Sequence, residues 1–230
     1  MKTLISNIGM LATALGYKAK GGREQGKINI VEKTWLLLEE NKISYVGAEG
    51  EAPPSIETTI DAHGKLVTPG LVDAHTHLLF GGWREKELIP KLQQVPYLEI
   101  LARGGGILST VEATRRATRE QLKCKTEKSL REILRQGVTA VEIKSGYGLD
   151  LSTELKMLTI IKELQQENSL TIVPTFLGAH ALPREYQAKR EDYIRLIIDE
   201  VLPRVVKEKL AEYIDVFCEA GVFSVAESRR

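Results

Sequence analysis

This 230-residue chain has few cysteines and almost no net charge, and each of these features excludes a class of protein. The two cysteines, Cys124 and Cys218, lie far apart in unrelated contexts, which matches neither a disulfide framework nor a zinc-finger spacing and favours a reducing cytoplasm. Lys and Arg total 32 and Asp and Glu total 31, so the net charge of +1 gives no sign of a nucleic acid or an anionic membrane as partner. We therefore expect a small-molecule ligand.

Long apolar runs are absent as well, since no stretch reaches the roughly 18 residues that a membrane-spanning helix requires. The mildly apolar segment 4–15 could be mistaken for a secretory signal, but Ser6 and Asn7 interrupt it, and we interpret it as a buried strand. The hydrophobic content of 43% is sufficient for the core of one large or two small domains.

Residues 1–65 have the pattern of short strands joined by turns, which predicts a small β domain. Residues 34–38 and 42–47 flank a Glu39-Glu40-Asn41 turn, as in a hairpin, and Pro53-Pro54 marks a loop. The second predicted domain covers residues 66–230.

From Val67 onward, strand-like runs alternate with long helical patterns, which indicates βα units and a parallel sheet. Strands are predicted at about residues 71–77, 138–144, 171–178 and 213–218. Polar residues gather where these strands end, and in a (β/α)₈ barrel that end carries the active site. The residues after the β domain are too few for the roughly 250 of such a barrel, so only about the first four βα units are expected.

The helices between these strands have recognisable ends. Thr118 and Gln121 have the spacing of a capping box, and Gly137 is placed where a helix stops. Ser152 is expected to cap the next helix, and the apolar stripe of a later helix is expected to break near Pro203.

The most informative segment is 67–77, in which a strand-like run ends in Asp73, His75 and His77. Side chains two residues apart project to the same face of a strand, so His75 and His77 can bind one metal ion. Imidazoles suit zinc or iron, and such an ion with an open coordination position activates water. A bare His-x-His pattern fits one core and one exposed histidine equally well, but the preceding Pro69-Gly70 favours the metal pair.

The Asp-x-His-x-His run after Pro-Gly resembles the first barrel strand of the amidohydrolase superfamily. Further segments are similar to the imidazolonepropionase family in one register along the chain, namely residues 80–87, 103–107, 143–149, 176–181 and 221–225. The resemblance implies a TIM-type (β/α)₈ barrel, preceded by the amino-terminal part of a small β-sandwich. It also implies one zinc or iron ion.

That family hydrolyses the cyclic amide 4-imidazolone-5-propanoate to N-formimidoyl-L-glutamate in histidine degradation. The resemblance implies His75 and His77 as metal ligands, Arg84 and Tyr147 as substrate-binding residues, and His180 as a substrate-binding and catalytic residue. An arginine can hold the propionate through two charge-assisted hydrogen bonds, and His180 is expected to donate to the ring or its carbonyl. The resemblance further implies a cytoplasmic homodimer.

Each of these residues also has a structural interpretation when it is taken alone. Arg84 would lie on a solvated helix face, Tyr147 at a rim, and His180 in a core or on the surface. Lys144 invites comparison with the carboxylated lysine of two-metal amidohydrolases, but it lies on the second visible strand rather than the fourth, so we interpret the site as mononuclear. Glu219 is a candidate hydrogen-bonding group near the metal.

The resemblance also implies groups that the chain does not contain. They are a third metal-binding histidine on the fifth strand, another histidine nearby, and an aspartate on the eighth strand that acts as general base. We therefore expect a truncated chain that is inactive alone. Two alternatives stay open, namely a different cyclic amidohydrolase or deaminase, and a non-catalytic fragment.

Overall fold

A computed structural model describes residues 2–16, 18–96, 99–100 and 104–230. The chain divides into two compact units, Met1–Gly70 and Leu71–Arg230. The predicted domain boundary after residue 65 stays a prediction, and the compact units divide slightly later, after Gly70. Arg103 of the glycine-rich segment lies outside the described residues.

The described part of the first unit is one five-stranded sheet. Its strands are β1 (Lys2–Ala14), β2 (Ile28–Glu39), β3 (Lys42–Val46), β4 (Thr58–Asp61) and β5 (Leu66–Val67), and a short 3₁₀ helix lies at Gly22–Gly26. β1 pairs antiparallel with β2 and parallel with β4 and β5, while β2 pairs antiparallel with β3. Leu4, Ile8 and Leu11 of β1 are buried, so the apolar segment near the amino end is a strand, as predicted.

The predicted hairpin is the β2–β3 pair. Glu40 and Asn41 connect the two strands, and both have a positive φ, 51° and 65°. This backbone is that of a two-residue turn whose twist matches the twist of the flanking strands.

The second unit is built on four parallel strands in chain order. They are β6 (Leu71–Thr76), β7 (Val138–Lys144), β8 (Thr171–Ala179) and β9 (Tyr213–Val216), and each end lies within two residues of its predicted position. The sequential order of parallel strands is that of a partial, curled sheet, so the α/β class agrees with the sequence analysis. That these are the first four units of a (β/α)₈ barrel stays a prediction.

Helices follow every strand of this sheet. After β6 come α1 (Leu88–Leu92), α2 (Ile107–Arg116) and α3 (Arg119–Arg135), after β7 comes α4 (Leu151–Glu167), and after β9 comes α7 (Val225–Arg229). After β8 a single helical segment runs through α5 (Arg190–Arg195), a π-helical stretch (Leu196–Val201) and α6 (Leu202–Lys207). Short 3₁₀ helices lie at Glu85–Glu87 and Arg184–Tyr186.

The core of the second unit lies between the sheet and these helices. Ile143 of β7 and Phe176 of β8 are buried together with Leu158, Ile161 and Leu164 of α4. The three α4 positions recur at helical spacing and so form one apolar stripe. Each fully buried side chain of this type contributes about 1.5–3 kcal/mol to folding.

Two of the four predicted helix ends are as expected, and two are not. Thr118 and Gln121 form the capping box of α3, and Gly137 follows that helix with a φ of 90°. The cap of α4 is Asp150 rather than Ser152, because the Asp150 carboxylate accepts the backbone N–H of Thr153 at 2.7 Å and the Ser152 hydroxyl donates to it.

The helical segment after β8 does not break near Pro203. A π-helical stretch, Leu196–Val201, comes directly before the turn that contains Pro203, and the helical segment continues through the proline to Lys207. No helix among the described residues is both long enough and apolar enough to cross a membrane.

Candidate functional site

Three predicted site residues form a cluster of rings at the carboxyl ends of β6, β7 and β8. His77 follows β6, Tyr147 lies in the loop after β7, and His180 follows β8. The His77 ring centre lies 4.9 Å from that of Tyr147 and 4.7 Å from that of His180, on which it stacks with an interplanar angle of 9°. Since parallel strands present their carboxyl ends on one side, residues distant in sequence meet here.

His75 and His77 lie close together at the carboxyl end of β6. Their ring centres are 6.0 Å apart, with an interplanar angle of 64°. His77 Nδ1 is buried and accepts or donates no hydrogen bond within the described residues, which leaves a nitrogen suited to a metal. The described ranges contain no group of three or more candidate ligands, so the paired-histidine metal site stays a prediction.

The electrostatics of His77 favour the neutral form that a metal requires. Burial is the main cause that lowers the pKa of His77 to about 3, and the nearby His180 and His75 lower it further. Burial also lowers the pKa of His180. Both stacked rings are therefore neutral near pH 7, and a neutral imidazole can ligate a metal without first losing a proton.

Lys144 is held as an ammonium ion by two carboxylates. Its Nζ lies 2.8 Å from Glu142 Oε1 and 3.0 Å from Asp215 Oδ2 on β9, and its side chain is 6% exposed. Burial lowers the pKa of Lys144, but the hydrogen bonds with Glu142 and Asp215 outweigh burial and raise it overall. A protonated amine is not a nucleophile, so this arrangement disfavours carboxylation of Lys144.

Arg84 lies at the wall of a cavity that Tyr147 and His180 also line. The cavity has a volume of about 640 Å³, and its other lining residues are Ile107, Leu108, Ala181, Leu182, Gln187, Arg190, Phe217, Ala220, Gly221 and Val222. This volume lies within the range of small-ligand pockets, which is about 300–1,000 Å³. Arg84 is therefore not on a purely solvated helix face.

The loop that carries Arg84 is fixed on both sides. Gly81 donates its N–H to Thr114 Oγ1 at 2.9 Å, and a Cβ on Gly81 would lie 2.4 Å from the Ala113 carbonyl oxygen, so only glycine fits. Lys125 places its ammonium group 3.2 Å from the ring centre of Phe80 and donates to the Gly82 carbonyl at 2.6 Å. Cation–π contacts of this kind stabilise the charged amine over the ring.

Glu87 is a buried carboxylate that sequence reasoning did not single out. It accepts from Arg84 Nε at 2.8 Å and Nη2 at 2.6 Å, and from the backbone N–H of Gly106 at 2.7 Å. It thereby joins the Arg84 loop to the start of α2. The available signal was its place three residues after Arg84 in a charged run, which allows an ion pair on one helical turn.

Through Glu87, these contacts make the free energy of unfolding depend on pH. The Arg84 hydrogen bonds are the main cause that lowers the pKa of Glu87 to about 2. A lowered carboxyl pKa stabilises the fold above the unfolded value and loses that effect as the pH falls towards the folded value. We expect Glu87→Gln to lower the free energy of unfolding by about 2 kcal/mol at pH 7 and to converge with the wild type between pH values of about 4.5 and 2.

Urea unfolding at a series of pH values measures this difference. Glu85→Gln is the matched control, because Glu85 is exposed in the same short helix and should show little difference at any pH. A gap between Glu87→Gln and the wild type that stays constant down to about pH 3 would contradict the assignment.

Glu154 is a second buried carboxylate that the sequence analysis missed. It is 1% exposed in the first turn of α4 and accepts backbone N–H groups from the loop that carries Tyr147. Its spacing from Leu158 and Ile161 places it on the apolar stripe of α4, and an acid on a buried stripe was the signal available.

Glu219 does not join the ring cluster. Its carboxylate is exposed and accepts the backbone N–H of its neighbour Ala220 at 2.8 Å. The expected hydrogen-bonding role near a metal therefore has no support in its contacts.

Comparisons with known proteins give one consistent family. A profile described as "Amidohydrolase family" matches residues 58–96. Imidazolonepropionase of Alkaliphilus metalliredigens is 49% identical over 99% of this chain and 55% of its own length, and that of Bacillus mycoides is 47% identical over 100% of this chain and 54% of its own length. The chain thus spans about half the length of the curated relatives it matches, and it is similar to their amino-terminal portion.

Solved structures support the fold. Guanine deaminase of E. coli matches with a TM-score of 0.58 and 16% identity, over 99% of this chain and 48% of its own. A triazine hydrolase from Arthobacter aurescens matches with a TM-score of 0.57 and 17% identity, over 90% of this chain and 42% of its own. These matches show the fold, an α/β arrangement with a partial, curled parallel sheet.

Proposed function

We propose that this chain, which is similar throughout to the amino-terminal part of imidazolonepropionases, supplies the substrate-binding half of an enzyme that hydrolyses the cyclic amide of 4-imidazolone-5-propanoate. The product is N-formimidoyl-L-glutamate, formed when water adds to the ring carbonyl and the amide carbon–nitrogen bond breaks. The observation that carries the proposal is the position of Arg84, Tyr147 and His180 on one cavity beside His77.

Arg84 binds the propionate of the substrate. Its guanidinium is the cationic fork that a planar carboxylate fits, and Glu87 holds it in place at the cavity wall. Glu87 accepts from Nε and Nη2 of Arg84, which orients the guanidinium at the cavity wall. A pre-oriented arginine loses little side-chain freedom when the substrate binds.

Tyr147 and His180 contact the imidazolone ring. Tyr147 lies between two glycines, so its phenol approaches the ring without obstruction from neighbouring side chains. His180 Nδ1 lies 2.9 Å from the Gly146 carbonyl oxygen, which can only accept a hydrogen bond. Neutral His180 therefore keeps its lone pair on Nε2 and accepts a hydrogen bond from a ring N–H, and it donates to the carbonyl only after it has gained a proton.

His75 and His77 are the residues that would hold one zinc or iron ion, and imidazole nitrogens suit both metals. When bound, such an ion supplies Lewis acidity that polarises the carbonyl and lowers the pKa of water. Lys144 stays an ammonium ion between two carboxylates, which favours one metal rather than two.

The proposal extends to the whole fold and its setting. The four parallel strands are the first half of a (β/α)₈ barrel, and the sheet of the first unit is one layer of a β-sandwich. The full-length enzyme is a cytoplasmic homodimer whose ligand is a small molecule. The half-length coverage of the relatives and the sequential strand order support the half-barrel. The sandwich layer, the compartment and the dimer are proposed from the family resemblance and from the cysteine content alone.

Turnover by the full-length product of the gene tests the proposal. We expect metal-dependent conversion of imidazolone propionate to formimidoylglutamate, measured by loss of the substrate chromophore and by mass of the product. The 230-residue chain alone should show no turnover, because its described residues contain no group of three or more candidate metal ligands. A folded, metal-loaded full-length protein that ignores this substrate would overturn the proposal.

A further inference from the structure

Glu154 takes no part in the chemistry proposed above, yet it is a buried carboxylate that accepts several hydrogen bonds. Its two oxygens accept the backbone N–H groups of Gly146, Gly148 and Leu149 at distances from 2.8 to 3.2 Å. These three groups belong to one loop, residues 145–149, which follows β7 and carries Tyr147. A single carboxylate therefore satisfies most of the donors of that loop.

Ser145 links the same carboxylate to the next strand. Its hydroxyl oxygen accepts the backbone N–H of Leu177 on β8 at 3.0 Å, and its side chain also hydrogen-bonds with Glu154. The described groups that hydrogen-bond to the Glu154 oxygens are all donors, and an ionised carboxylate offers acceptors to all of them. Burial raises the pKa of Glu154, while these hydrogen bonds oppose the rise.

The loop of residues 145–149, which Glu154 holds, contacts His180 through one backbone carbonyl group. The Gly146 carbonyl oxygen lies 2.9 Å from His180 Nδ1, so the backbone at Gly146 decides which ring nitrogen carries the proton. Gly146 has a φ of 98°, and a Cβ there would lie 2.6 Å from the Leu177 carbonyl oxygen. The peptide is therefore confined on one side by β8 and on the other by Glu154.

We infer that Glu154 is a positioning residue, which sets the tautomer of His180 and the place of Tyr147 by fixing the backbone of residues 145–149. The hydrogen bonds of Glu154 described above are with the loop, and we infer that it acts through the loop. The consequence for catalysis rests on the function proposed above, whereas the consequence for the His180 tautomer does not.

Glu154→Gln is the direct test. It replaces one acceptor oxygen by an amide group whose N–H bonds face other donors, so the loop loses at least one contact and gains a repulsion. We expect ¹⁵N-edited NMR of the 230-residue chain to show His180 mainly protonated on Nδ1 in the wild type and as a mixture of tautomers in the variant. Amide exchange at Gly146, Gly148 and Leu149 should accelerate by about 10-fold or more.

Glu163→Gln is the matched control, because it makes the same chemical change on the same helix, where Glu163 pairs with Arg119 and Lys123 instead. It should leave the His180 tautomer and the loop exchange unchanged. Ser145→Ala removes one contact of Glu154 together with the hydrogen bond from the Leu177 N–H, and it should give a smaller shift of the same kind, even if Glu154→Gln fails to fold. An unchanged His180 tautomer in a folded Glu154→Gln variant, or in Ser145→Ala, would overturn the inference.

The full-length protein separates this inference from the proposed function. Glu154→Gln should lower kcat/KM by about 10–100-fold, with most of the loss in kcat, because the groups that contact the ring are misplaced while Arg84 still binds the carboxylate. A wild type without turnover would remove the proposed function and leave the NMR result to decide the role of Glu154. A variant with wild-type kcat and a shifted tautomer would overturn the catalytic part alone.

Discussion

Arg84→Met in the full-length protein is expected to raise KM for imidazolone propionate by about 100-fold or more. Removing one partner of a desolvated charge pair costs about 2–5 kcal/mol, and the guanidinium is the partner we assign to the propionate. For a substrate analogue that lacks the carboxylate, the same variant should change KM by less than about 5-fold. Steady-state kinetics with the two substrates measure the difference.

Two controls separate binding from loop structure. Arg116→Met removes an exposed arginine of α2, whose side chain is 77% exposed, and should leave both substrates unaffected. Glu87→Gln loosens the Arg84 loop without removing the guanidinium and should raise KM less than Arg84→Met does. Equal losses for the charged substrate and its neutral analogue would favour a different cyclic amidohydrolase or a deaminase.

His77→Ala in the full-length protein is expected to lower metal affinity by about 100-fold or more and to abolish turnover at ordinary metal concentrations. The reason is that His77 supplies a buried nitrogen without a hydrogen-bond partner in the described part of the chain, beside a second imidazole. Metal content after dialysis, measured by elemental analysis, gives the stoichiometry without reference to activity.

His63→Ala is the control for that experiment. His63 lies in an exposed turn of the first unit with a φ of 52°, so its removal should leave the metal content unchanged. A His77→Ala variant that keeps one tightly held ion per chain would exclude the paired-histidine site. His75→Ala should behave like His77→Ala if the two rings share the ion.

The order of the strands was predictable from the sequence because it depends on local patterns. Alternating apolar runs and helical stripes predicted β6 to β9 to within two residues, and the Thr118 capping box is visible in four consecutive letters. The carboxyl-end rule then brought His77, Tyr147 and His180 together before any contact was known. These steps require no knowledge of which side chains meet across the fold.

The predictions that were wrong depend on competition between neighbouring groups. Asp150 caps α4 in place of Ser152, because a carboxylate two residues earlier reaches the same N–H groups. The break expected near Pro203 does not occur. A π-helical stretch lies there instead, and no sequence pattern predicted it.

The hydrogen-bond partners of the buried polar side chains were also not predicted from the sequence. Glu87 and Glu154 looked like ordinary surface acids, since their donors come from loops 19 and 5–8 residues away. The proton position on His180 depends on the Gly146 carbonyl, 34 residues away in the chain. Only the folded arrangement brings such groups together.

The loops that carry Arg84 and Tyr147 are each held by a different carboxylate, and this has a consequence for protein engineering. Glu87 holds the Arg84 loop and Glu154 holds the Tyr147 loop, and in the described ranges the two acids share no hydrogen-bond partner. Changes at Glu87 should therefore combine additively with changes at Glu154, whereas changes at Phe80 and Tyr147, whose ring centres lie 6.2 Å apart, are expected to couple. Libraries that redesign the carboxylate-recognising end of the cavity and keep Phe80 can leave the ring-recognising end intact, so substrate preference can be altered in two independent rounds.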